Sequence, residues 1–407
     1  MSKNRKILIA VIAAAAALIL GGAYLLYQRY YGGAAQFDIE SYPIVSYEYR
    51  KTASEHGIVA DYLYMRTKEL MLGNSGENLL IPSSYMIAGR LSYQDAVCSD
   101  EYRLSDQALL LSLYVRRGDR IAAVRLKERI LSYYDLESQS NAELSDFLSA
   151  YLDYYDVYGS VNDLDKIGAI AEILFDEDGF LRDEVLRVAV YEQGGFYSTD
   201  NLGDGSFSTL EQGAQPSDTE YTDMEGIVIS SVDLRLIRNL ENNGFLPEGS
   251  FDRNLELVTG SKISSDIPLF AYAYSNGSYV YSHDAAAAVD VGESIITMRH
   301  LSEVGMLPED SYSWLKMQII NSGTLCREYY YSYGSTQGEE AVDVYPDIMM
   351  MAVELGDDDL YGRICILEGA RVATYSSSPA LSMIYRQEDG RFVFYARENL
   401  LVCLAVT

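Results

Sequence analysis

Asp and Glu together number 60 in this chain of 407 residues, against 31 Lys and Arg, so carboxyl groups are its most abundant chemical resource. Two of them suffice to break a glycosidic bond. One is protonated and serves the leaving oxygen, the other is charged and activates water or attacks, and in the inverting geometry they stand ~6.5–9.5 Å apart. A helix amino terminus favours the anionic form while burial opposes it, so unlike surroundings split two carboxyls into an acid and a base. Four acids draw attention: Asp106, directly after Ser105, which reads as an N-cap; Glu101, a few residues earlier in CSDEYRLSD; Asp233, close to Arg235 in SSVDLRLIRNL; and Asp284, which closes YSHD. Each also has a structural reading. Asp106 stabilises a first helical turn, Asp233 and Arg235 form an ion pair or a solvated stripe, and Asp284 caps a helix or turns a loop.

Aromatic residues are the usual companions of such chemistry, and the chain holds 36 tyrosines. Tyr329, Tyr330, Tyr331 and Tyr333 follow a predicted helix in a loop, where flat rings with polar tips suit the faces of sugars; Tyr281, beside Asp284, is given the same role. Tyr151, Tyr154, Tyr155 and Tyr158 recur at helical spacing and read as packing. Only His56, His283 and His300 are available, which argues against a histidine-rich metal site, and no metal or other cofactor is expected. Cys98, Cys326, Cys365 and Cys403 form no C-x-x-C pair. Cys365 and Cys403 read as core thiols, and Cys98 and Cys326, in polar stretches, as the one conceivable bridge.

A net charge of −29 repels nucleic acid and anionic headgroups and leaves a neutral or cationic polymer as the compatible ligand. At the amino terminus, residues 1–6 form a basic stub and 7–27 an uncharged apolar run close to the ~20 residues that span a bilayer. Lys3, Arg5 and Lys6 precede that run and only Arg29 closely follows it, which predicts a cytoplasmic amino terminus and an extracytoplasmic body. A cleaved signal peptide is the rival reading, but the run is long for one and no small-x-small site directly follows it. Residues 28–54, rich in Gly, Tyr and Ser, read as a tether, and 55–407 as one globular domain.

Within that domain, helical periodicity covers Ile58 to Leu72, Ser105 to Arg117, Arg120 to Tyr134, Ala142 to Tyr158 and Val161 to Phe175. Two stretches starting at Asn243 and Val304 share G-x-L-P-E-x-S-aromatic, the mark of a repeated helical hairpin in which Ser caps the second helix. Further helices are expected at Tyr345 to Leu355, Leu360 to Val372 and from Arg397 onward, with β-hairpins turning at Asn276-Gly277 and Asp389-Gly390. About twelve helices in short-looped pairs make an all-α body. If the first helix packs beside the last, six hairpins close into a ring and hide the apolar end faces of an open solenoid. The long irregular segments Asp178 to Thr222 and Thr259 to Asp290 then fall on the rim of a cleft.

RLSDQALLLSLYVRRGD at Arg103 to Asp119 resembles the Ser-Glu-x-x-Gly-x-x-x-x-Tyr-Ala-x-x-x-Gly-Asp stretch of bacterial exopolysaccharide hydrolases related to glycoside hydrolase family 8. SSVDLRLIRNL resembles that group's Asp-Asp-Leu-Arg-Ile signature, and YSHD is similar in place to its Tyr-Asp segment. The resemblance implies an inverting, metal-free glycanase on an (α/α)6 toroid; together with the amino-terminal apolar run it predicts a membrane-anchored, extracytoplasmic enzyme acting on a cell-surface or exopolysaccharide. It makes Asp106 the general acid, with Glu101 as alternative, Asp233 a contact at the cleavage point together with Arg235, and Asp284 the base. Three departures accompany it: Asp106 stands where the family has Glu, Val232 where it has the first Asp of the pair, and Ala108 or Leu109 where it has Gly. A carboxyl one methylene shorter moves its proton by ~1 Å, enough to slow such chemistry greatly. A catalytically degenerate glycan-binding or biosynthesis-accessory protein, and a helical-hairpin interaction scaffold, are the alternatives.

Overall fold

The computed structural model describes residues 20–22, 37, 39–72, 79–91, 96–190, 220–281, 288–330 and 336–407. Thirteen helices of more than seven residues lie among them. They are α1 (Tyr47–Glu55), α2 (Ala60–Thr67), α3 (Leu104–Arg116), α4 (Arg120–Tyr133), α5 (Asn141–Tyr158), α6 (Val161–Leu174), α7 (Leu234–Asn242), α8 (Ser250–Gly260), α9 (Val291–Glu303), α10 (Glu309–Ser322), α11 (Tyr345–Leu355), α12 (Asp358–Gly369) and α13 (Ala396–Ala405). The odd-numbered helices from α3 to α13 pack in a closed inner circle, each against the next, and α13 returns to α3. Around them α2, α4, α6, α8, α10 and α12 form the outer layer, while α1 packs on α12. The ring closes as its sequence periodicity requires: α2 lies beside α13, and Arg116 donates to the Leu404 carbonyl at 3.2 Å.

Every outer helix returns the chain to the same side, so all six inner helices start at one face, the mouth, and end at the other, the floor. Floor connections are short turns. In the repeated motif Gly244 and Gly305 take left-handed backbone angles (φ 76° and 70°) that a side chain would resist. The caps differ from expectation. Ser250 and Ser311 fall inside their helices, and the exposed start of α8 is held by Glu241, whose two oxygens accept from Gly249 N (2.8 Å) and Phe251 N (2.6 Å). Ser105 is likewise inside the first turn of α3, whose N-cap is Arg103.

Mouth connections are long and carry all the strands, more β structure than the expected hairpins. β1 (Ser84–Ala88), β2 (Ala96–Cys98), β10 (Arg386–Glu388) and β11 (Arg391–Tyr395) form one antiparallel sheet. A second joins β3 (Glu184–Val190), β4 (Glu220–Val228), β5 (Ala273–Ser275) and β6 (Ser278–Val280), and a third joins β7 (Ala288–Asp290), β8 (Cys326–Tyr330) and β9 (Thr336–Glu340). Both expected tight turns are present, at Asn276-Gly277 and Asp389-Gly390. β3 and β4 occupy the ends of a segment read as irregular, because their pairing is long-range and invisible to local periodicity. Cys98 and Cys326 stand in different sheets as free thiols, so the conceivable bridge is not made; Cys365 and Cys403 are buried, as expected.

Tyr151, Tyr154 and Tyr155 are at most 1% exposed, and Tyr151 donates to Asp163 at 2.7 Å. Lys127 reaches the same Asp163 at 2.6 Å, tying α4, α5 and α6 through one buried pair. Of the expected tether, residues 39–54 are described, and they pack on the body. Glu40 accepts from Arg238 (2.8 Å) and its carbonyl from Asn239 (3.1 Å), while Phe37 meets Tyr155 and Phe245. Tyr42 enters the floor of the ring, its face 3.5 Å from the Arg235 guanidinium and its hydroxyl accepting from Arg299 at 3.0 Å. Tyr42→Ala should therefore lower stability by roughly 2–3 kcal/mol in urea unfolding; an unchanged midpoint would make the strap a superficial contact.

Candidate active site

The amino termini of the inner helices point toward the mouth, and each carries partial positive charge that favours an acid. Five meet it with an acid as third residue: Asp106 in α3, Glu143 in α5, Glu293 in α9, Asp347 in α11 and Glu398 in α13. The sixth, α7, starts deeper in the ring, level with the last turn of α9, and carries its acid at the N-cap, Asp233. These carboxylates have different occupations. Glu143 accepts from Leu104 N at 3.2 Å, so α5 caps its neighbour α3. Glu293 accepts from the Ser230 hydroxyl. Asp347 lies 3.1 Å from Arg299 Nε, and Glu398 is paired with Arg386 and Arg371.

Asp106 is the exception. It is 2% exposed, its Oδ2 has no hydrogen-bond partner, and no ion pair reaches it among the described residues. Burial raises its pKa to about 7, although the Ser83 hydroxyl and the Arg397 and Arg103 guanidinium groups act in the opposite sense. A carboxyl that still holds its proton near neutrality, with an open oxygen and positive groups nearby, has the properties of a general acid. Glu143 is also pushed up by burial, against the Leu104 N–H that lowers it. Glu184, on β3, is raised by burial and by the nearby charge of Glu293, with its bond from Asn141 N opposing.

The other sequence candidates are distributed differently. Glu101 is exposed and bound to Arg103 Nε at 2.7 Å, so it is engaged outside the ring. Asp233 does not join Asp106. Its Oδ1 accepts from Leu236 N (2.8 Å) and lies 3.8 Å from His300 Nδ1, within the ring. Arg235 is 2% exposed, donates to Ser149 (3.0 Å), faces Tyr42 and lies 3.9 Å from Glu303, which leaves it no surface for a ligand. Tyr329 belongs to β8 rather than a loop, and its ring packs against Trp314 with centroids 4.8 Å apart. Tyr281 is 4% exposed. Asp284, Tyr331 and Tyr333 and the side chain of Tyr330 lie outside the described residues.

Sequence reasoning missed the charges on the ring axis. Arg299 links Asp347 (3.1 Å), Glu303 (3.6 Å) and Tyr42, while Arg397 donates to Asp146 at 3.2 Å. Asp153 and Glu354 face Arg116 and Arg235 toward the floor, and burial raises the pKa of each. Burial acts on Glu303 too, but Arg299, His300 and Arg235 outweigh it and hold its pKa at about 2. The column sets Asp146, Asp153, Asp233, Glu303, Asp347 and Glu354 against Arg116, Arg235, Arg299 and Arg397, and the burial that raises Asp153 and Glu354 acts to relieve the excess of acids. Of these acids only Asp347 carried a local signal, as the third residue of its helix; the arginines answering them come from distant segments.

No known family pattern and no characterised relative matches the chain at the level of sequence. Solved structures do match. A novel alpha-amylase from Clostridium perfringens gives a TM-score of 0.58 at 16% identity, over 84% of this chain and 97% of that one. PssZ from Listeria monocytogenes gives 0.51 at 11%, over 84% and 96%. An unsaturated glucuronyl hydrolase from Streptococcus agalactiae gives 0.50 at 10%, over 91% and 97%. At these identities the likeness carries the fold alone, a closed ring of six helical hairpins.

The raised pKa of Asp106 has a stability consequence. Its folded value of about 7 exceeds the ordinary 3.8, so the folded chain keeps a proton that the unfolded chain releases. That contribution is fully present below about pH 4 and is lost as pH rises through about 7. Asp106→Asn should leave the melting temperature nearly unchanged at about pH 4 and raise it at about pH 8. Equal shifts at both values would mean that Asp106 ionises in the folded protein as freely as in water.

Proposed function

We propose that this protein is a membrane-anchored, extracytoplasmic glycoside hydrolase acting on a neutral or cationic cell-surface polysaccharide, with Asp106 as general acid. The observation that carries this reading is the Asp106 carboxyl: buried in the first turn of an inner helix, protonated near neutrality, with one oxygen unengaged. Its fold is shared with an alpha-amylase and an unsaturated glucuronyl hydrolase, so the toroid is compatible with glycosidic chemistry. In the reaction, Asp106 donates its proton to the glycosidic oxygen as the bond to the anomeric carbon breaks, and a second carboxylate takes a proton from the attacking water. Among the described residues, Glu293 is the candidate for that second role. It occupies the corresponding turn of α9, three inner helices away from α3 in either direction around the ring. Asp284 is the candidate from sequence.

Anchoring rests on the apolar run at 7–27 and the basic residues before it. Among the described residues no helix is long and apolar enough to cross a membrane, and most of that run lies outside them. A non-catalytic glycan-binding role is the second reading, favoured by the engagement of Asp233 as a helix cap within the ring.

Full-length protein in detergent should release reducing ends from poly-N-acetylglucosamine, chitosan or a mixed-linkage glucan. Asp106→Asn should lower kcat by about 100-fold or more, and the wild-type rate should fall as pH rises above about 7. Glycan binding without turnover across such a panel would sink the enzyme reading in favour of the binding one.

A further inference from the structure

Asp233, His300 and Glu303 take no part in the proposed acid and base steps, yet they meet on the ring axis with an unusual geometry. His300 Nδ1 stands 3.8 Å from Asp233 Oδ1 and 3.6 Å from Glu303 Oε2, and one ligand atom from each residue lies within 4.8 Å of the other two. These separations are too long for hydrogen bonds. Among the described residues neither His300 Nδ1 nor either Glu303 oxygen makes a hydrogen bond of ordinary length, although their residues are only 5% and 6% exposed; Glu303 has longer contacts with Arg299, Arg235 and His300. Buried polar atoms without a close partner cost ~1–3 kcal/mol each, so the loose spacing leaves a place for a closer one.

A tetrahedral ion with nitrogen and oxygen ligands at ~2.0–2.2 Å sets those ligands about 3.3–3.6 Å apart. The two spacings from His300 come within a few tenths of an ångström of that, and Asp233 and Glu303 lie within 4.8 Å of each other. We propose that Asp233, His300 and Glu303 form a structural binding site for one divalent metal ion of the zinc class. The donor set, one imidazole nitrogen and two carboxylate oxygens, is the kind that such ions take. His300 and Glu303 are three residues apart and share one face of the last turn of α9. Asp233 is fixed by the bond that its Oδ1 accepts from Leu236 N, which orients it as outer contacts orient metal ligands. Arg235 and Arg299 stand 3.9 and 3.6 Å from Glu303 and oppose a cation, so the affinity is set by the other two ligands as much as by Glu303. A scarcity of histidines argued against a metal from sequence, but this set needs only one, and its members come from two segments 67 residues apart in numbering (Asp233 to His300). Tyr42 sits on Arg235 and Arg299 beside the triad, so removing its ring should open the site to a chelator.

The test uses full-length protein in detergent, stripped with EDTA and titrated with Co2+. One equivalent of visible d–d absorption, displaced stoichiometrically by Zn2+, is expected. His300→Ala should abolish it. Asp233→Asn, which keeps an oxygen for the helix cap, should weaken Co2+ binding on the order of 100-fold while the circular dichroism remains native. Tyr42→Ala should speed metal loss to EDTA. The assignment is overturned if the wild type gives no stoichiometric absorption, if Asp233→Asn binds Co2+ as tightly, or if 15N spectra of Zn2+-treated protein show His300 as an imidazolium at neutral pH. That last result would make the triad a salt-bridged histidine. None of these readouts depends on glycan cleavage, so failure here leaves the hydrolase reading standing, and failure of that reading leaves the metal site standing.

Discussion

Six helical hairpins closed into a circle leave a space on the axis that aliphatic side chains from α7, α9 and α11 do not fill, and this chain fills it with charge. Taking a carboxylate and a guanidinium out of water costs several kcal/mol per ion, recovered only when each charge finds partners. Arg299 shows how the recovery works. One guanidinium on α9 meets Asp347 of α11, Glu303 of its own helix and the hydroxyl of Tyr42 from the amino-terminal strap. Three segments far apart in sequence are held to one position because moving any of them strands a charge in a dry interior. Apolar packing between inner and outer layers supplies the larger share of stability; the axial ions dictate which arrangement of the layers is acceptable.

The same parallel arrangement of inner helices separates two kinds of chemistry. At the mouth, helix amino termini and long connections bring acids and strands together, and there burial raises the pKa of Asp106, one of whose oxygens makes no hydrogen bond. At the floor, turns are short and little is left open, since Tyr42 and Glu40 occupy the space that the helix ends enclose. The same residue types appear at both depths of the ring, and at the mouth too carboxylates are engaged, Asp347 with Arg299 and Glu398 with Arg371 and Arg386.

This division explains what could be read from the amino acids alone. Helix limits at Tyr345–Leu355 and Arg120–Tyr133 were legible because apolar periodicity and the turn residues at either end act locally. Asp106 was legible as the acid of a first helical turn. Asp233 was legible as a polar residue in an apolar run, but its surroundings were not: His300 and Glu303 become its neighbours only once α7 and α9 lie side by side. Tyr329 looked like a loop residue because the strand it belongs to pairs with β7 and β9, contacts that no local pattern announces. The strap was hidden for a related reason. A Gly- and Ser-rich stretch looks free until the cavity that receives its one well-placed tyrosine has been assembled.

Because α13 completes the circle between α11 and α3, the structure has an order of assembly built into it. Arg116 meets Leu404 across 288 positions of chain, a contact that local folding cannot anticipate. As the polypeptide is synthesised, the first ring helix must wait with one flank uncovered while all the others are made. Only when Ala396–Ala405 arrives does that flank acquire its neighbour, and until then the nascent chain carries an exposed greasy seam of the sort that chaperones recognise.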